Sequence, residues 1–228
     1  MKTGMSPARA RATICTKGHL PAVRDWGMTM VLMSLSEMIQ SSAIAAVISN
    51  PRLTDNPIID SNEAFGQLTG YAREEIIGRN CRFLTGADTE PGLTETLRAG
   101  IRAQRPTMVE IINYKKDGTR FRNAVLVAPI FGITGELEYF LGSQVEMLDD
   151  TVSFADARRR DASERIAALS RRQTEIVIHI AAGKLNKQIS YELGLSERTV
   201  KMHRAAVFKA LGLRTTADII RLAIEAGY

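Results

Sequence analysis

Cys81 lies in a short polar run, Gly78 to Leu84, between two stretches that predict helices. It is one of two cysteines in the 228 residues, and the other is Cys15. No Cys-x-x-Cys motif and no Cys/His cluster accompanies them, so the sequence predicts no metal site. A lone cysteine in such a place is more often a small buried apolar residue than a reactive centre. Whether Cys81 is a reactive residue or only a buried apolar one therefore has to be judged from the polar residues around it in this part of the chain.

Five amide side chains are scattered through segments that otherwise predict a hydrophobic core: Asn56, Asn80, Asn113, Asn123 and Gln144. Buried amides need hydrogen-bond partners, and this set offers both donors and acceptors. Such a set suits the polar edge of a heteroaromatic ligand. Arg82 and Arg98 add the cationic donors that bind an anionic end such as a phosphate. The middle of the chain therefore predicts a site for a ligand of this kind.

A second set of residues with chemical potential lies near the C-terminus. Residues 186–211 contain a short helical stretch, a turn with Gly194 and a longer helical stretch, which predicts a helix-turn-helix. On the longer helix, an inward stripe consists of Val200, Val207, Phe208 and Leu211. The outward residues supply cations for phosphates and small or polar groups for base edges: Arg198, Lys201, Met202, Ala205 and Lys209. From charge alone, an ordinary helical hairpin with a solvated basic face is the alternative.

The elements that must position these residues fall into two groups. Residues 28–40 predict an amphipathic helix and residues 43–49 a strand, and short helices precede a longer one that ends at Arg102. Three β-rich runs then follow, at residues 107–114, 119–130 and 136–147. This order predicts an α+β domain with an antiparallel sheet. Residues 149–169 predict a helical connector, because they have high helix propensity and no Gly or Pro, and every later segment is helical.

Charge distinguishes the same groups. Residues 1–36 carry five basic side chains and one acidic side chain. Residues 37–148 carry 11 basic and 14 acidic side chains, and residues 149–228 carry 14 basic and 10 acidic side chains. The basic C-terminal part predicts a polyanionic partner, whereas the acidic middle does not. The chain has no apolar run of about 18 residues, so we expect no membrane partner. Together with the two dispersed cysteines, this predicts a reduced, cytoplasmic protein.

The strand pattern makes one geometric prediction. Asn113 and Asn123 flank a hairpin at Asp117-Gly118. A two-residue loop would put the two amides on opposite faces of the sheet, since side chains alternate with a period of two. An odd loop, such as three residues with Gly118 in the left-handed region, puts both on one face. A shared ligand site therefore predicts an odd loop.

The run Thr199-Val200-Lys201-Met202-His203, which follows Leu-Gly-Leu-Ser-Glu, resembles the LuxR-type helix-turn-helix of bacterial transcription regulators. The resemblance extends from about Leu169 to Tyr228. In that family the helix with the Val-Lys-x-His run enters the major groove of DNA. The resemblance therefore implies that Lys201 and His203 contact DNA and that Met202 and Ala205 face the bases. It also makes RNA polymerase a candidate partner.

The last predicted helix, from Thr216 to Ala226, is more apolar than so small a domain needs. Its apolar residues are Ile219, Ile220, Ala223 and Ile224. They predict a face that pairs with a second copy or covers another surface, that is, a dimer or interdomain face. Burial inside the four-helix domain itself is the alternative.

The run Gly-Arg-Asn-Cys-Arg-Phe-Leu at residues 78–84 resembles the signature of a LOV domain, the flavin-binding blue-light member of the PAS family. The resemblance spans about Ile39 to Glu146 and includes Asn56-Pro57 and the later amides. It implies flavin mononucleotide (FMN), bound without covalent attachment in the dark. Light would then add the Cys81 thiol reversibly to the flavin C4a carbon. Thr85 is a departure, because many LOV domains have Gln there.

The resemblance also implies roles for the cofactor-binding residues. Asn113 and Asn123 would bond the pyrimidine edge of the flavin, and Gln144 would sense its N5 atom by reorienting its amide. Arg82 and Arg98 would bind the phosphate, and Asn56 and Asn80 belong to the polar lining. Apolar contacts to the ring would come from Leu84, Val125 and Phe140.

The predicted architecture is therefore an α+β PAS/LOV domain, an antiparallel sheet with flanking helices, followed by an all-α four-helix LuxR-type domain. The predicted boundaries are a basic, mobile tail at 1–27, the LOV domain with an N-terminal helix at 28–148, the connector at 149–169 and the helix-turn-helix domain at 170–228. The predicted function is a blue-light-regulated transcription factor that binds double-stranded DNA and is not an enzyme. In the dark, the outer face of the sheet covers either the recognition helix or the apolar last helix of a monomer, and the connector at 149–169 helps to hold it there. Light frees the last helices to form a homodimer.

The alternative function is a flavin-dependent redox-sensing PAS regulator without the light-driven bond, which would tolerate Cys81→Ala. A phosphorylated response regulator would need alternating strands and helices, which the middle of the chain lacks. A small-signal-binding regulator would leave the Asn-Cys-Arg run without a purpose. No Gly-x-Gly-x-x-Gly, P-loop or His-Glu-x-x-His motif indicates turnover of a substrate.

Overall fold

The computed structural model describes residues 35–132, 134–147 and 152–228. The predicted tail at 1–27 and most of the predicted helix at 28–40 lie outside these residues, and residues 35–37 of that helix are helical. Within the described residues, no helix is both long enough and apolar enough to cross a membrane.

Five strands form one antiparallel sheet in the order β2-β1-β5-β4-β3. Their bounds are β1 (Ala45–Ser49), β2 (Ile58–Ser61), β3 (Thr107–Tyr114), β4 (Arg120–Phe131) and β5 (Leu137–Met147). The sequence predicted all of them except β2, whose residues it left partly unassigned and partly in the following helix. This strand has only four residues, too few to establish a period of two.

Short helices cover one face of the sheet: α1 (Glu63–Thr69), α2 (Arg73–Ile76), a 3-10 helix (Cys81–Leu84) and α3 (Pro91–Arg102). Asn62 begins α1, because its side chain accepts a hydrogen bond from the Phe65 amide at 3.0 Å. Buried Phe65, Ile76 and Leu84 pack against Ala45 and Val47 of β1. The predicted α+β domain with an antiparallel sheet is therefore confirmed.

The hairpin between β3 and β4 has the predicted odd loop. Tyr114 is opposite Arg120, and the Lys115 amide donates to the Thr119 carbonyl at 2.8 Å, so three residues remain in the tip. Gly118 in that tip has a φ of +86°, in the left-handed region that glycine adopts readily. This register gives Asn113 and Asn123 the same parity, which places both on one face of the sheet.

The C-terminal part is all helical. Helix α4 (Val152–Ala167) lies within the predicted connector and is followed by α5 (Arg171–Ala181), α6 (Asn186–Leu193), α7 (Glu197–Leu211) and α8 (Thr216–Glu225). Capping boxes at Ser170 and Thr215 begin α5 and α8, and Gly194 ends α6 with a φ of +62°. The predicted four-helix domain is confirmed, while the exact segment boundaries stay predictions.

One hydrophobic core joins the outer face of the sheet to the helical domain. The sheet contributes buried residues of β1, β4 and β5, α4 contributes Ala162 and Ile166, and α8 contributes Ile219, Ile220 and Ala223. In a strand, successive side chains point to opposite faces. The sheet therefore carries short helices on one face and the C-terminal helices on the other.

Candidate ligand cavity and nucleic-acid interface

A cavity of about 440 Å³ lies between the inner face of the sheet and the helices that cover it. Its apolar wall includes Val47, Ile111, Val125 and Phe140 from the strands and Leu97 and Ile101 from α3. Most of the exposed wall surface is contributed by carbon atoms. The shape and lining are those of a site for a small organic ligand.

The structure brings nearly all the predicted ligand-binding residues together around this cavity. The lining includes Asn56, Asn80, Cys81, Arg82, Arg98, Asn113, Val125, Phe140 and Gln144. Two predicted residues are not part of the lining. Leu84 is buried in the apolar cluster with Phe65 and Ile76, and its contact with a ligand ring stays a prediction. Asn123 is fully buried, and its side-chain amide donates to Asn113, which does line the cavity.

Buried amides form a polar edge on the sheet. The Asn123 side-chain amide donates to Asn113 Oδ1 at 2.9 Å, and the Asn113 amide donates to the Ile112 carbonyl at 3.1 Å. The amide oxygens of Asn56, Asn123 and Gln144 are buried without a partner among the described residues. An unpaired buried acceptor costs free energy, and ligand N–H groups are suitable donors for it. These amides therefore fit the polar edge of a flavin.

Cys81 opens the 3-10 helix and faces this polar edge. Asn80 holds the turn, since its side-chain oxygen accepts from the Arg82 amide at 3.0 Å while its nitrogen donates to the Asp55 carbonyl at 2.6 Å. Gln144 Nε2 lies 3.5 Å from Cys81 Sγ. Burial raises the pKa of the Cys81 thiol to about 11, and the contact with Gln144 only partly opposes this effect. Cys81 is therefore a neutral thiol at physiological pH.

The two predicted phosphate-binding arginines lie at the mouth of the cavity. Arg82 forms an ion pair with Asp55, and Arg98 lies 3.8 Å from Glu95. Their side chains are 56% and 60% exposed, so both can turn toward an anion in the cavity. Exposed ion pairs are weak, and a phosphate can compete for these guanidinium groups. Thr85, the departure in the motif, uses its hydroxyl to donate to the Arg82 carbonyl at 2.7 Å.

The sequence analysis did not identify much of the apolar lining of the cavity, although local patterns indicate some of it. Ile111 and Val127 share the parity of Asn113 and Val125, and the stripe of Leu97 and Ile101 on α3 was visible as a period of four. The lining from Pro51 to Asn56 belongs to the turn region between β1 and β2, which has no period. In the described residues, no cluster of three or more His, Cys, Asp or Glu side chains could hold a metal ion.

Helix α7 presents the predicted DNA-binding residues. Val200, Val207 and Leu211 are buried, and His203 is partly buried. The outward-facing residues are exposed: Arg198, Lys201, Met202, Ala205 and Lys209. Met202 is 61% exposed, an unusual position for a large apolar side chain. Ser196 begins the helix by accepting from the Thr199 amide at 3.1 Å. DNA contact by these side chains stays a prediction.

The predicted dimer or interdomain face of α8 is buried in this structure, partly within the helical domain against α5 and α4 and partly against the sheet at β5. The alternative, burial inside the helical domain, therefore accounts for part of this face. Ile219, Ile220 and Ala223 are at most 1% exposed, and Ile224 is partly buried. The Ser42 hydroxyl donates to Asp218, and the Ala217 amide donates to the Met38 carbonyl at 3.3 Å. At the other end of the contact, Arg158 of α4 pairs with Glu110 of β3 at 2.7 Å. Pairing of this face with a second copy stays a prediction.

Two family models match the chain. A PAS domain model matches residues 45–148, and the model of bacterial regulatory proteins of the luxR family matches residues 167–223. The first range contains the cavity and its lining. The second contains α5 to α8 with the exposed face of α7.

Curated relatives match more than half of the chain. A blue-light-activated histidine kinase of Erythrobacter litoralis is 50% identical over 138 residues, which is 60% of this chain and 38% of the relative. A protein of the same name from Brucella canis is 34% identical over 144 residues, 63% of this chain and 29% of the relative. The chain therefore spans less than two-fifths of the length of either.

Among solved structures, the LOV domain of a blue-light-activated histidine kinase from Erythrobacter litoralis is 40% identical. That match covers 46% of this chain and 97% of the solved chain, with a TM-score of 0.45. The Gly-x-Asn-Cys-Arg-Phe-Leu run, the cavity beside it and the two family matches lead to one assignment. The chain joins a PAS domain, at residues 45–148, to a helix-turn-helix domain that matches the luxR family of bacterial regulatory proteins, at residues 167–223.

Proposed function

We propose that this protein is a blue-light-regulated transcription factor that binds FMN in the cavity and DNA through α7. One observation carries the proposal: neighbouring residues of β5 face the two functional sides. Gln144 faces the cavity and contacts Cys81, whereas Ser143 faces the helical domain and accepts from Arg221 at 3.2 Å. The residue that would respond to the ligand, Gln144, is thus the immediate neighbour of the residue that contacts the last helix, Ser143.

The cavity residues would bind and orient the cofactor. Asn113 and Asn123 would hold the polar edge of the ring, and Arg82 and Arg98 would bind the phosphate at the mouth. A bound flavin would supply absorption of blue light and an electrophilic ring carbon. The apolar wall, with Phe140 and Val125, would exclude water from that carbon.

Cys81 would supply the sulfur of a reversible, light-driven covalent bond. Its raised pKa keeps the proton on sulfur in the dark, so the protein does not hold a thiolate against the ring. With a flavin bound, Cys81 would be the residue that supplies both the sulfur and the proton for this bond. Gln144 contacts the same sulfur at 3.5 Å, and its amide would reorient when the local donors and acceptors change.

The output would be a shift between two arrangements of the chain. In the closed arrangement described above, the sheet covers α8. Reorientation at Gln144 would weaken this contact, and the freed α8 face would pair with a second copy. Two α7 helices would then bind a two-fold site on double-stranded DNA. Moving from mostly closed to mostly open takes about 5 kcal/mol or less, which a covalent bond in the sensor can supply.

We propose further that the protein regulates transcription and is not an enzyme. The two relatives bear the name histidine kinase, but their matches cover 38% and 29% of their lengths. In this chain a luxR-family domain follows the LOV domain. Its expected partners, DNA and RNA polymerase, would place the protein in the bacterial cytoplasm. Incubation with labelled ATP in darkness and light should leave the protein unphosphorylated.

Sedimentation of the flavin-loaded protein with DNA, in darkness and under blue light, tests the proposal. We expect monomers in the dark, and DNA-bound dimers with reversible bleaching of the flavin absorption in the light. Cys81→Ala should remove the bleaching and the light response, while Cys15→Ser, the matched control, should retain both. Equal DNA binding in darkness and light would refute the proposal. A light or redox response that survives Cys81→Ala would favour the redox-sensing alternative.

A further inference from the structure

A second cavity, of about 320 Å³, lies between the sheet domain and the helical domain. We call it the interdomain crevice. Met38 and Ile130 line it from the sheet side, and Phe208, Arg204 and Arg214 line it from α7 and the loop before α8. It is separate from the flavin cavity, with which it shares no lining residue.

Arg204 in this crevice is incompletely satisfied. A guanidinium group has five N–H donors, and Arg204 donates to one side-chain acceptor among the described residues, Thr216 Oγ1 at 3.0 Å. No described carboxylate forms an ion pair with it. Burial lowers the pKa of Arg204, and among the described residues no neighbouring charge opposes that effect. A partly buried cation without a counter-ion is costly, which points to an anion from outside the protein.

Arg221 shows how the same fold satisfies an arginine that needs no ligand. Its guanidinium donates to the Ala124 carbonyl, the Ser143 hydroxyl and the Glu225 carboxylate. The carboxylate opposes the effect of burial on the pKa of Arg221. Arg221 therefore has three acceptors, a carbonyl, a hydroxyl and a carboxylate, whereas Arg204 has one hydroxyl acceptor among the described residues.

The other residues that line the crevice indicate the charge of the anion and the kind of organic group attached to it. Arg214 adds a second cation without a carboxylate partner among the described residues, while Lys184 is already paired with Glu192. Glu37 is the one carboxylate among the lining residues, and it pairs with neither arginine. A dianion would balance two guanidinium charges, and a phosphate monoester is close to a dianion at neutral pH. The apolar Met38, Ile130 and Phe208 leave room for an organic body.

We propose that the interdomain crevice binds a small organic phosphate monoester, with Arg204 and Arg214 as the phosphate-binding residues. Because the crevice has walls from both domains, the ligand fits only the closed arrangement and stabilises it by mass action. The ligand would therefore act as a co-repressor of the light response. This last step rests on the proposed function, whereas binding itself does not.

Calorimetric titration of the DNA-free, flavin-loaded protein tests binding in the dark. The probes are adenosine monophosphate, inorganic phosphate and adenosine. We expect saturable binding of the monophosphate, weaker binding of inorganic phosphate and none of adenosine. Arg204→Gln should lower affinity about tenfold or more, the effect of losing a charge-assisted hydrogen bond. Lys187→Gln, which removes an exposed charge outside the crevice, should leave affinity within about twofold.

Arg214→Gln keeps the test decisive if Arg204→Gln does not fold, since Arg214 is exposed and its replacement leaves the fold intact. It too should weaken binding of the monophosphate. Absence of saturable phosphate binding, or equal effects of Arg204→Gln and Lys187→Gln, would overturn the proposal. If Arg204→Gln changed DNA binding alone, Arg204 would be a DNA-backbone contact and the proposal would be wrong. If the monophosphate bound equally well in darkness and in light, the proposed co-repressor role would be wrong, but the binding site itself would be confirmed.

Discussion

Arg221 of the last helix donates from both terminal guanidinium nitrogens to the Ala124 carbonyl oxygen of β4, each at 3.3 Å. The residue is 2% exposed, and it also donates to the Ser143 hydroxyl of β5 at 3.2 Å. The sheet thus supplies two of the acceptors that this buried cation requires. The closed arrangement depends on these polar contacts as well as on apolar burial.

Ser143→Ala should favour the open arrangement. The substitution removes one acceptor from Arg221 while its other two remain, which costs about 1 kcal/mol, or about a fivefold shift toward the open form. The dimer fraction in the dark, measured by sedimentation, should rise accordingly. Thr96→Ala is the control, because Thr96 is exposed on α3 and bonds only within its own helix. A dark dimer fraction that is the same in both variants would contradict the role of Ser143.

Gly183→Ala should open the protein in the dark more than Gly194→Ala does. Both glycines follow helices with positive φ, +75° and +62°, so alanine costs about 1 kcal/mol of backbone strain at each. At Gly183 the new Cβ would also lie 2.3 Å from the Pro129 carbonyl oxygen of β4, whereas nothing lies within 4 Å at Gly194.

The clash at Gly183 exists only while the two domains are in contact. DNA-free sedimentation in the dark should therefore show dimers of Gly183→Ala and monomers of Gly194→Ala. If both variants remained monomeric, the contact between Gly183 and β4 would not limit the closed arrangement.

The Cys81 thiol gives the fold a pH dependence on the alkaline side. Its pKa rises from 9.0 to about 11 on folding, so the folded state holds the proton more tightly. The resulting stability is complete below pH 9 and is lost as the pH rises toward 11. Between pH of about 8 and about 10.5, the free energy of unfolding should fall by about 2 kcal/mol more than in Cys81→Ser.

Urea unfolding of the flavin-loaded protein under red light measures this difference. The same thiol stays protonated at neutral pH, so the amplitude of light-induced bleaching should be constant from about pH 6 to about pH 9. A bleaching amplitude that followed a neutral pKa would indicate a thiolate as the reactive form in the dark.

Lys201→Gln and Met202→Ala should separate affinity from specificity at the DNA surface. Lys201 is an exposed cation on α7, and its loss should weaken binding to all sequences and lower the salt slope by about one. Met202 carries no charge, so its replacement should alter base preference and leave the salt slope unchanged. Fluorescence anisotropy of lit protein at several salt concentrations measures both. A lower salt slope in Met202→Ala would contradict the predicted orientation of α7.

Local sequence patterns predicted the elements and their faces where a period or a turn rule applied. The odd loop at Gly118 followed from the requirement that Asn113 and Asn123 share a face, and the stripe of Val200 and Val207 located the exposed side of α7. The sequence missed β2, because its four residues pair with β1 across a loop. It also left open what covers Ile220, since packing between domains has no local signature. Leu84 was predicted at the ligand with its motif neighbours; its side chain belongs to the apolar cluster of Phe65 and Ile76, and its contact with a ligand stays a prediction.

The alternation of side chains along β5 has a consequence for how such a protein can be adjusted. Phe140, Gly142 and Gln144 line the ligand cavity, while Leu141 and Ser143 contact the helical domain. In the proposed function, substitutions at even-numbered positions would alter the ligand site, and substitutions at odd-numbered positions would alter the contact with the helical domain. An insertion of one residue in this strand would exchange the faces of the residues that follow it, so it would disturb both sides of the sheet at once.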